Sequence, residues 1–96
     1  MPAYVLVSRD GPIRDPAAYE EYRRLAGLDP STMHVKPLAA FGAITPLEGA
    51  APDGVVILEF PDVEAAKAWY YGAGYQAAVP HRIASGDWRA LIVEGL

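Results

Sequence analysis

The stretch VVILEFPDVEAAKAWY, residues 55–70, decides the fold of this chain. Residues 55–60 form a near-continuous apolar run, which is typical of an inner strand covered on both faces. The residues that follow, Pro61 and Asp62, are a helix start signal, and apolar side chains then recur at helical spacing. This apolar stripe consists of Ala65, Ala66, Trp69 and Tyr70. The stretch therefore predicts a buried strand followed directly by an amphipathic helix.

The N-terminal part of the chain has the same order of strand and helix. Residues 3–7 are a short run of β-branched and aromatic side chains before a turn-rich segment. Asp15 then offers a side-chain acceptor at the N-cap, and Pro16 places its ring at the first helical position, where no hydrogen bond is lost. Gly27 is predicted to end this first helix. On its outer face, Glu20 is expected to pair with Arg24 one turn away.

The remaining segments complete the set of elements. Residues 38–45 are predicted to form an edge strand, residues 49–54 a turn, and residues 88–94 a terminal strand. The glycine-rich residues 72–74 should end the second helix. A further short helix follows, and Pro80 is expected to divide it because a proline ring clashes with the preceding turn.

The resulting order, β-α-β-β-α-β, predicts an α+β protein with the ferredoxin-like arrangement. Residues 1–96 would form one domain, with a four-stranded antiparallel sheet and the helices on one face. In a chain of 96 residues nothing remains to cover the other face of the sheet. A second copy of the chain would cover it, so we expect a homodimer.

Composition and charge exclude several classes of protein. The net charge is −4 and no basic run exists, which argues against a nucleic-acid partner. No stretch approaches the roughly 20 apolar residues of a membrane span, and the N-terminal residues lack the pattern of a signal peptide. The chain has no cysteine, so disulfides and thiolate chemistry are excluded. We therefore expect a cytoplasmic protein with neither a nucleic-acid nor a membrane partner.

Several segments together resemble the DUF1330 family of uncharacterised bacterial proteins. They are DPAAYEEY (15–22), LEG (47–49), VVILEFPDVEAAKAWY (55–70), YQAA (75–78) and LIVEGL (91–96). The resemblance spans nearly the whole chain and implies a dimeric α/β barrel, in which the sheets of two ferredoxin-like units face each other. The wider superfamily includes cofactor-free monooxygenases, polyketide cyclases, muconolactone isomerases and haem enzymes. The resemblance therefore does not predict a reaction type.

The chain also departs from the family pattern around the expected pocket. Residues 34–36 read His-Val-Lys where members usually carry Gly-Gly-Arg, and residues 73–75 read Ala-Gly-Tyr in place of a Ser-Pro-Glu-Tyr helix entry. Pro80 replaces an ordinary helix residue. These departures predict a ligand that differs from that of a typical member.

His34 and Arg82 are the candidate catalytic residues. The imidazole of His34 titrates near neutral pH and would serve as a general base or acid; the alternative is a solvent-exposed loop histidine. The two-pronged guanidinium of Arg82 suits a substrate carboxylate or enolate, and the resemblance includes an arginine near this position. The alternative for Arg82 is an ion pair with a carboxylate of its own chain or of the partner.

The candidate substrate-binding residues are Tyr19, Tyr22, Trp69, Tyr75 and His81. The four aromatic residues lie on the inner stripes of the predicted helices, and such a stripe is more often core than binding site. Buried tyrosine hydroxyls nevertheless need hydrogen-bond partners, and a slot with these walls would suit a flat aromatic or polyketide-like ligand. Glu59, inside an apolar strand, is either a general base or half of an ion pair across the dimer.

Three functions fit these observations. The first is a cofactor-free enzyme that isomerises, cyclises or oxygenates a small hydrophobic, oxygenated molecule. The second is a non-catalytic dimer that binds a metabolite in the same slot. The third, a haem-handling protein with a histidine as axial ligand, ranks last because neither histidine falls clearly on a helix face towards the sheet. No metal or other cofactor is expected, since the spacing of the two histidines matches no metal motif and no phosphate-binding glycine loop is present.

Overall fold

A computed structural model describes residues 1–29 and 35–96 as a single sheet with three helices. The elements are β1 (Ala3–Asp10), α1 (Pro16–Leu28), β2 (Lys36–Ala40), β3 (Gly54–Phe60), α2 (Val63–Tyr71), α3 (Ala73–Ser85) and β4 (Asp87–Glu94). Of the helices in these two ranges, none combines the length and the apolar character that crossing a membrane would require.

The sheet has four strands in the order β2-β3-β1-β4, and every neighbouring pair is antiparallel. Its two central strands are β1 and β3, with Val5 opposite Leu58 on one side and opposite Ile92 of β4 on the other. The predicted α+β class and ferredoxin-like topology are confirmed. The stretch 55–70 forms the central strand β3 and helix α2, as its sequence pattern predicts.

One face of the sheet carries the core and the helices. Val5 and Val7 of β1 are buried there. They pack with Phe60 of β3, with Trp69 of α2 and with side chains of α3. Asp62 is the N-cap of α2, as predicted. Its carboxylate accepts a hydrogen bond from the amide of Ala65 at 2.7 Å.

The opposite face of the sheet carries the alternate residues of the same strands. Leu6 lies between Ile57 and Leu91 in the register, and all three side chains point away from the core because side chains alternate along a strand. Leu91 is 55% exposed in the single chain. On the same face Glu59 lies 3.8 Å (Oε1 to Nζ) from Lys36 of the same chain, whereas an ion pair of Glu59 across a dimer stays a prediction.

Helix α1 begins as predicted and differs in two details. The Asp15 carboxylate accepts a hydrogen bond from the amide of Ala18 at 3.1 Å, but the helix continues through Gly27 to Leu28. The expected Glu20–Arg24 pair is wrong. Glu20 contacts Arg23 and Glu21 contacts Arg24, because residues three apart also face each other on a helix.

The prediction of a third helix divided by Pro80 is wrong. Helix α3 runs without a break over 13 residues, and Gly72 alone separates it from α2. Val79 and Arg82 are both buried against the rest of the protein, whereas the ring of Pro80 is exposed. Packing on both sides of the proline therefore holds the helix together despite the lost backbone hydrogen bond.

The predicted edge strand over residues 38–45 lies too far along the chain. Strand β2 covers Lys36–Ala40, and its pairing with β3 shifts register between Pro37 and Ala39. The next residue after the strand is Phe41, whose φ of 55° lies in the left-handed region that a bulky side chain rarely adopts. This turns the chain away from the sheet, and residues 41–50 are exposed.

Candidate small-molecule site

A cavity of about 440 Å³ lies between α1 and the helix-bearing face of the sheet. It exists because α1 packs mainly against α3, and no residue of α1 is fully buried. Most of its lining is apolar or aromatic: Val7, Tyr19, Tyr22, Ala26, Val35, Pro37, Phe41, Val56, Leu58, Trp69, Tyr75 and Trp88. We call this space the α1 cavity.

Stacked aromatic rings form the walls of the α1 cavity. Tyr19 of α1 lies nearly parallel to Trp88 of β4, with ring centroids 6.0 Å apart and an interplanar angle of 11°. Trp69 and Tyr75 also line the cavity; both are buried, and their ring centroids are 4.2 Å apart. The aromatic stripes of the helices therefore belong to the core and to the cavity wall at once.

Two tyrosine hydroxyls form a pair at the wall of the cavity. The hydroxyl oxygens of Tyr22 and Tyr75 are 2.7 Å apart, and either one can donate to the other. Burial, and next the neighbouring Tyr22, raise the pKa of Tyr75 well above its ordinary value of 10.0. Tyr75 therefore stays protonated at neutral pH and acts as a hydrogen-bonding hydroxyl.

Arg82 is the most buried charged residue of the cavity lining. Its side chain is on α3, only 4% of the residue is exposed, and Cζ lies 5.9 Å from the ring centroid of Tyr22 and 5.6 Å from that of Trp88. No residue in the two described ranges makes an ion pair or hydrogen bond with its guanidinium, and its buried Nε has no partner. Aromatic faces are the main surroundings of this cation.

Ser85 fixes the geometry beside Arg82. Its hydroxyl donates to the backbone carbonyl of Arg82 at 2.6 Å, and the indole Nε1 of Trp88 donates to the Ser85 Oγ at 3.1 Å. The serine is fully buried. It thus links the last turn of α3 to the start of β4 and holds the indole close to the guanidinium.

The structure brings five of the predicted site residues to one cavity. Its lining includes Tyr19, Tyr22, Trp69, Tyr75 and Arg82. His81 is not in the lining; it lies on the side of α3 near Glu21, whose pKa is lowered by a hydrogen bond from Arg24 and, to a smaller extent, by His81. His34 lies outside the described residues, and its catalytic role stays a prediction.

Sequence reasoning did not identify Trp88 and Phe41 as site residues. Trp88 is the second residue of β4, and strand alternation from Ile92 places it on the core face, so the period of two could have located it. Phe41 contacts the Trp88 ring edge-on at 6.3 Å, and it reaches the cavity through a positive φ that no sequence pattern marks.

The polar side chains among the described lining residues of the α1 cavity can all donate hydrogen bonds. Among the described lining residues there is no histidine, cysteine or carboxylate, and residues 1–29 and 35–96 contain no group of three side chains placed to hold a metal ion. Tyrosine hydroxyls, an indole and guanidinium groups are suited to bind ligand oxygen atoms.

Solved structures with the same fold come from several bacteria. A protein of unknown function from Rhodopseudomonas palustris is 26% identical, with a TM-score of 0.71 over 99% of this chain and 82% of that one. An EthD-family protein from Bacillus halodurans is 14% identical, with a TM-score of 0.65 and full coverage of both chains. A dimeric ferredoxin-like protein of unknown function from Thermobifida fusca is 17% identical, with a TM-score of 0.60 over 98% of this chain and 90% of that one.

Comparison of the sequence with family models finds one that covers almost the whole chain. The model described as a domain of unknown function, DUF1330, matches residues 2–96. None of the curated proteins matches the chain.

Proposed function

The chain belongs to the DUF1330 family, and we propose that it binds a small, hydrophobic, oxygenated molecule in the α1 cavity. The observation that carries this proposal is the composition of the wall: aromatic and aliphatic side chains surround about 440 Å³, and a few polar groups converge on it. Ligand pockets in proteins have this size and this mixture.

The catalytic form of the proposal is a cofactor-free isomerase, cyclase or monooxygenase. Arg82 would stabilise negative charge that develops on a substrate oxygen, and Tyr75 would donate a hydrogen bond to the same region. His34 is the proposed proton carrier. His34 lies outside the described residues, and its chain neighbour Val35 lines the cavity.

Non-catalytic binding is the second candidate. It is favoured by the polar groups of the described lining, since the tyrosine hydroxyls and the Arg82 guanidinium are hydrogen-bond donors suited to binding a ligand. Both candidates use the same cavity and differ in whether His34 moves a proton.

We further propose that two copies pair through their open sheet faces, which the dimeric Thermobifida fusca relative supports. A cytoplasmic location stays a prediction from composition.

A thermal-shift screen of lactones, quinones and aromatic acids tests the binding site. At least one class should raise Tm in the wild type, since a ligand that binds the native state stabilises it. Ala26→Phe should fill the α1 cavity and abolish the shift, whereas Ala17→Phe on the exposed side of α1 should keep it. A ligand shift that survives Ala26→Phe would place binding elsewhere.

Turnover of a ligand found in this way separates the two candidates. The enzyme hypothesis predicts product formation by the wild type, with a large loss in His34→Ala and in Arg82→Ala. Product formation that persists in both variants would remove these two assignments. Binding without any turnover would favour the non-catalytic candidate.

A further inference from the structure

We propose that the ligand of the α1 cavity is a flat carboxylic acid, bound as its carboxylate by Arg82. This inference rests on the proposed function, namely that a small molecule binds in this cavity. It adds the charge and the chemical class of that molecule, and it identifies Arg82 as its anchor.

The first argument is the unpaired state of a buried cation. Arginine is rarely buried without a partner, and it cannot lose its charge as a lysine or histidine can. Arg82 is 4% exposed, and its guanidinium makes neither an ion pair nor a hydrogen bond with any residue in ranges 1–29 and 35–96. An anionic ligand would supply the missing partner, and the planar fork of arginine matches a carboxylate.

The aromatic neighbours explain how Arg82 remains stable before a ligand binds. Its Cζ lies within 6 Å of the Tyr22 and Trp88 ring centroids, which is the range of a cation–π contact. Ring contacts leave the N–H donors in the guanidinium plane without acceptors. They therefore hold the cation in place and keep its hydrogen-bonding edge for a ligand.

The second argument is the sign of the charges around the cavity. The described lining residues contain two charged side chains, Arg23 and Arg82, and both are positive although the chain as a whole carries −4. Arg23 is already paired with Glu20, at 3.2 Å between Nη1 and Oε1 near the surface. An inner cation without an opposing carboxylate favours a monoanionic ligand.

The third argument is the shape and polarity of the remaining wall. Near-parallel Tyr19 and Trp88 rings favour a flat apolar body. The Tyr22 and Tyr75 hydroxyls, 2.7 Å apart in the same wall, are suited to bind ligand oxygen atoms. A carboxylate on an aromatic or conjugated body fits both requirements better than an inorganic anion, which would leave the apolar wall in contact with water.

Matched ligand pairs test this proposal on the whole chain. We would measure Kd at pH 7 by isothermal titration calorimetry for benzoate against benzamide and for 2-naphthoate against 2-naphthamide. Each pair has nearly the same shape and differs in charge. The carboxylate should bind about 10- to 100-fold more tightly than its amide, which is the usual value of a hydrogen-bonded charge pair.

Variants assign the difference to Arg82. Arg82→Gln should reduce the preference for the carboxylate to within about threefold, whereas Arg24→Gln, at an arginine of α1 outside the cavity lining, should keep the preference. Circular dichroism checks the fold of each variant. If Arg82→Gln does not fold, the wild-type ligand pairs together with Arg82→Lys, which keeps the charge but loses the fork, still decide the question.

The possible outcomes separate this inference from the proposed function. If the amides bind as tightly as the carboxylates, the charged ligand class is wrong and small-molecule binding stands. A carboxylate preference that is unchanged in Arg82→Gln overturns the role of Arg82. If none of the four compounds binds at millimolar concentration while lactones or quinones do, the carboxylate class is wrong, and if nothing binds, both proposals fall.

Discussion

Tyr75 has a hydroxyl whose acid–base behaviour is set by its surroundings. The residue is 3% exposed, and burial followed by the neighbouring Tyr22 raises its pKa above 10.0. In the unfolded chain the phenol loses its proton near pH 10, while in the native state it keeps the proton. Above that pH the native state therefore binds more protons than the unfolded state, and stability falls as pH rises.

The prediction for Tyr75 concerns alkaline unfolding. Between about pH 10 and pH 12 the free energy of unfolding should fall by up to about 1.4 kcal/mol per pH unit because of this group alone. Tyr75→Phe removes that contribution, so its urea-unfolding free energy should decline less steeply with pH, although it starts about 1 kcal/mol lower at pH 7. Tyr71→Phe, at a residue 69% exposed, is the control and should keep the wild-type slope. Equal slopes in Tyr75→Phe would contradict the assignment.

Gly74 and Gly27 are both helical glycines with opposite surroundings. A Cβ on Gly74 would lie 2.7 Å from Cγ of Asp29, whereas a Cβ on Gly27 would meet nothing within 4 Å. Gly74→Ala should therefore lower the free energy of unfolding by about 1 kcal/mol or more, because Asp29 must move. Gly27→Ala should raise it by up to about 1 kcal/mol, the difference in helix propensity. Chemical denaturation measures both, and a stabilising Gly74→Ala would show that Asp29 moves without cost.

At the scale of elements, α3 holds together around an internal proline. Pro80 is exposed in the middle of a helix whose neighbouring turns are buried. Pro80→Ala restores a backbone donor and should raise the free energy of unfolding by about 1 to 3 kcal/mol. The same substitution at Pro16, the first position of α1, should have little effect because no hydrogen bond is missing there. A destabilised Pro80→Ala protein would mean that the shape of α3 depends on the proline ring.

The success of sequence reasoning differed between elements for a physical reason. Strand β3, helix α2 and the N-caps at Asp15 and Asp62 follow from local signals, and the structure has them where the sequence predicts them. Strand β2 was misplaced because an edge strand has one neighbour, and its limits depend on where that pairing stops. Helix α3 was predicted as divided because burial of Val79 and Arg82 on either side of Pro80 is a tertiary effect.

At the scale of the whole molecule, the main apolar surface is the face of the sheet opposite the helices, which we call the open sheet face. Leu6 and Ile57 lie beside Leu91 and Val93 on this face, and the last two are 55% and 45% exposed. A chain of this size gains stability by removing such a patch from water.

Sedimentation tests the expected dimer. The wild type should sediment as a dimer at micromolar concentration, and Leu91→Lys should shift it to a monomer because a charge would be buried in the interface. Ile83→Lys is the matched control: Ile83 is 61% exposed on α3, away from the open face, and its replacement should leave the dimer intact. A monomeric wild type would contradict pairing through the sheet.

The order of the elements and the starts of α1 and α2 follow from the sequence alone. These features depend on residues close together in the chain, through capping, alternation and helical spacing. Tertiary structure alone decided that α1 stands away from the sheet and that Arg82, Tyr22 and Trp88, from three separate elements, meet around one cavity. The ring contacts of Arg82 result from packing between distant segments, which no local pattern encodes.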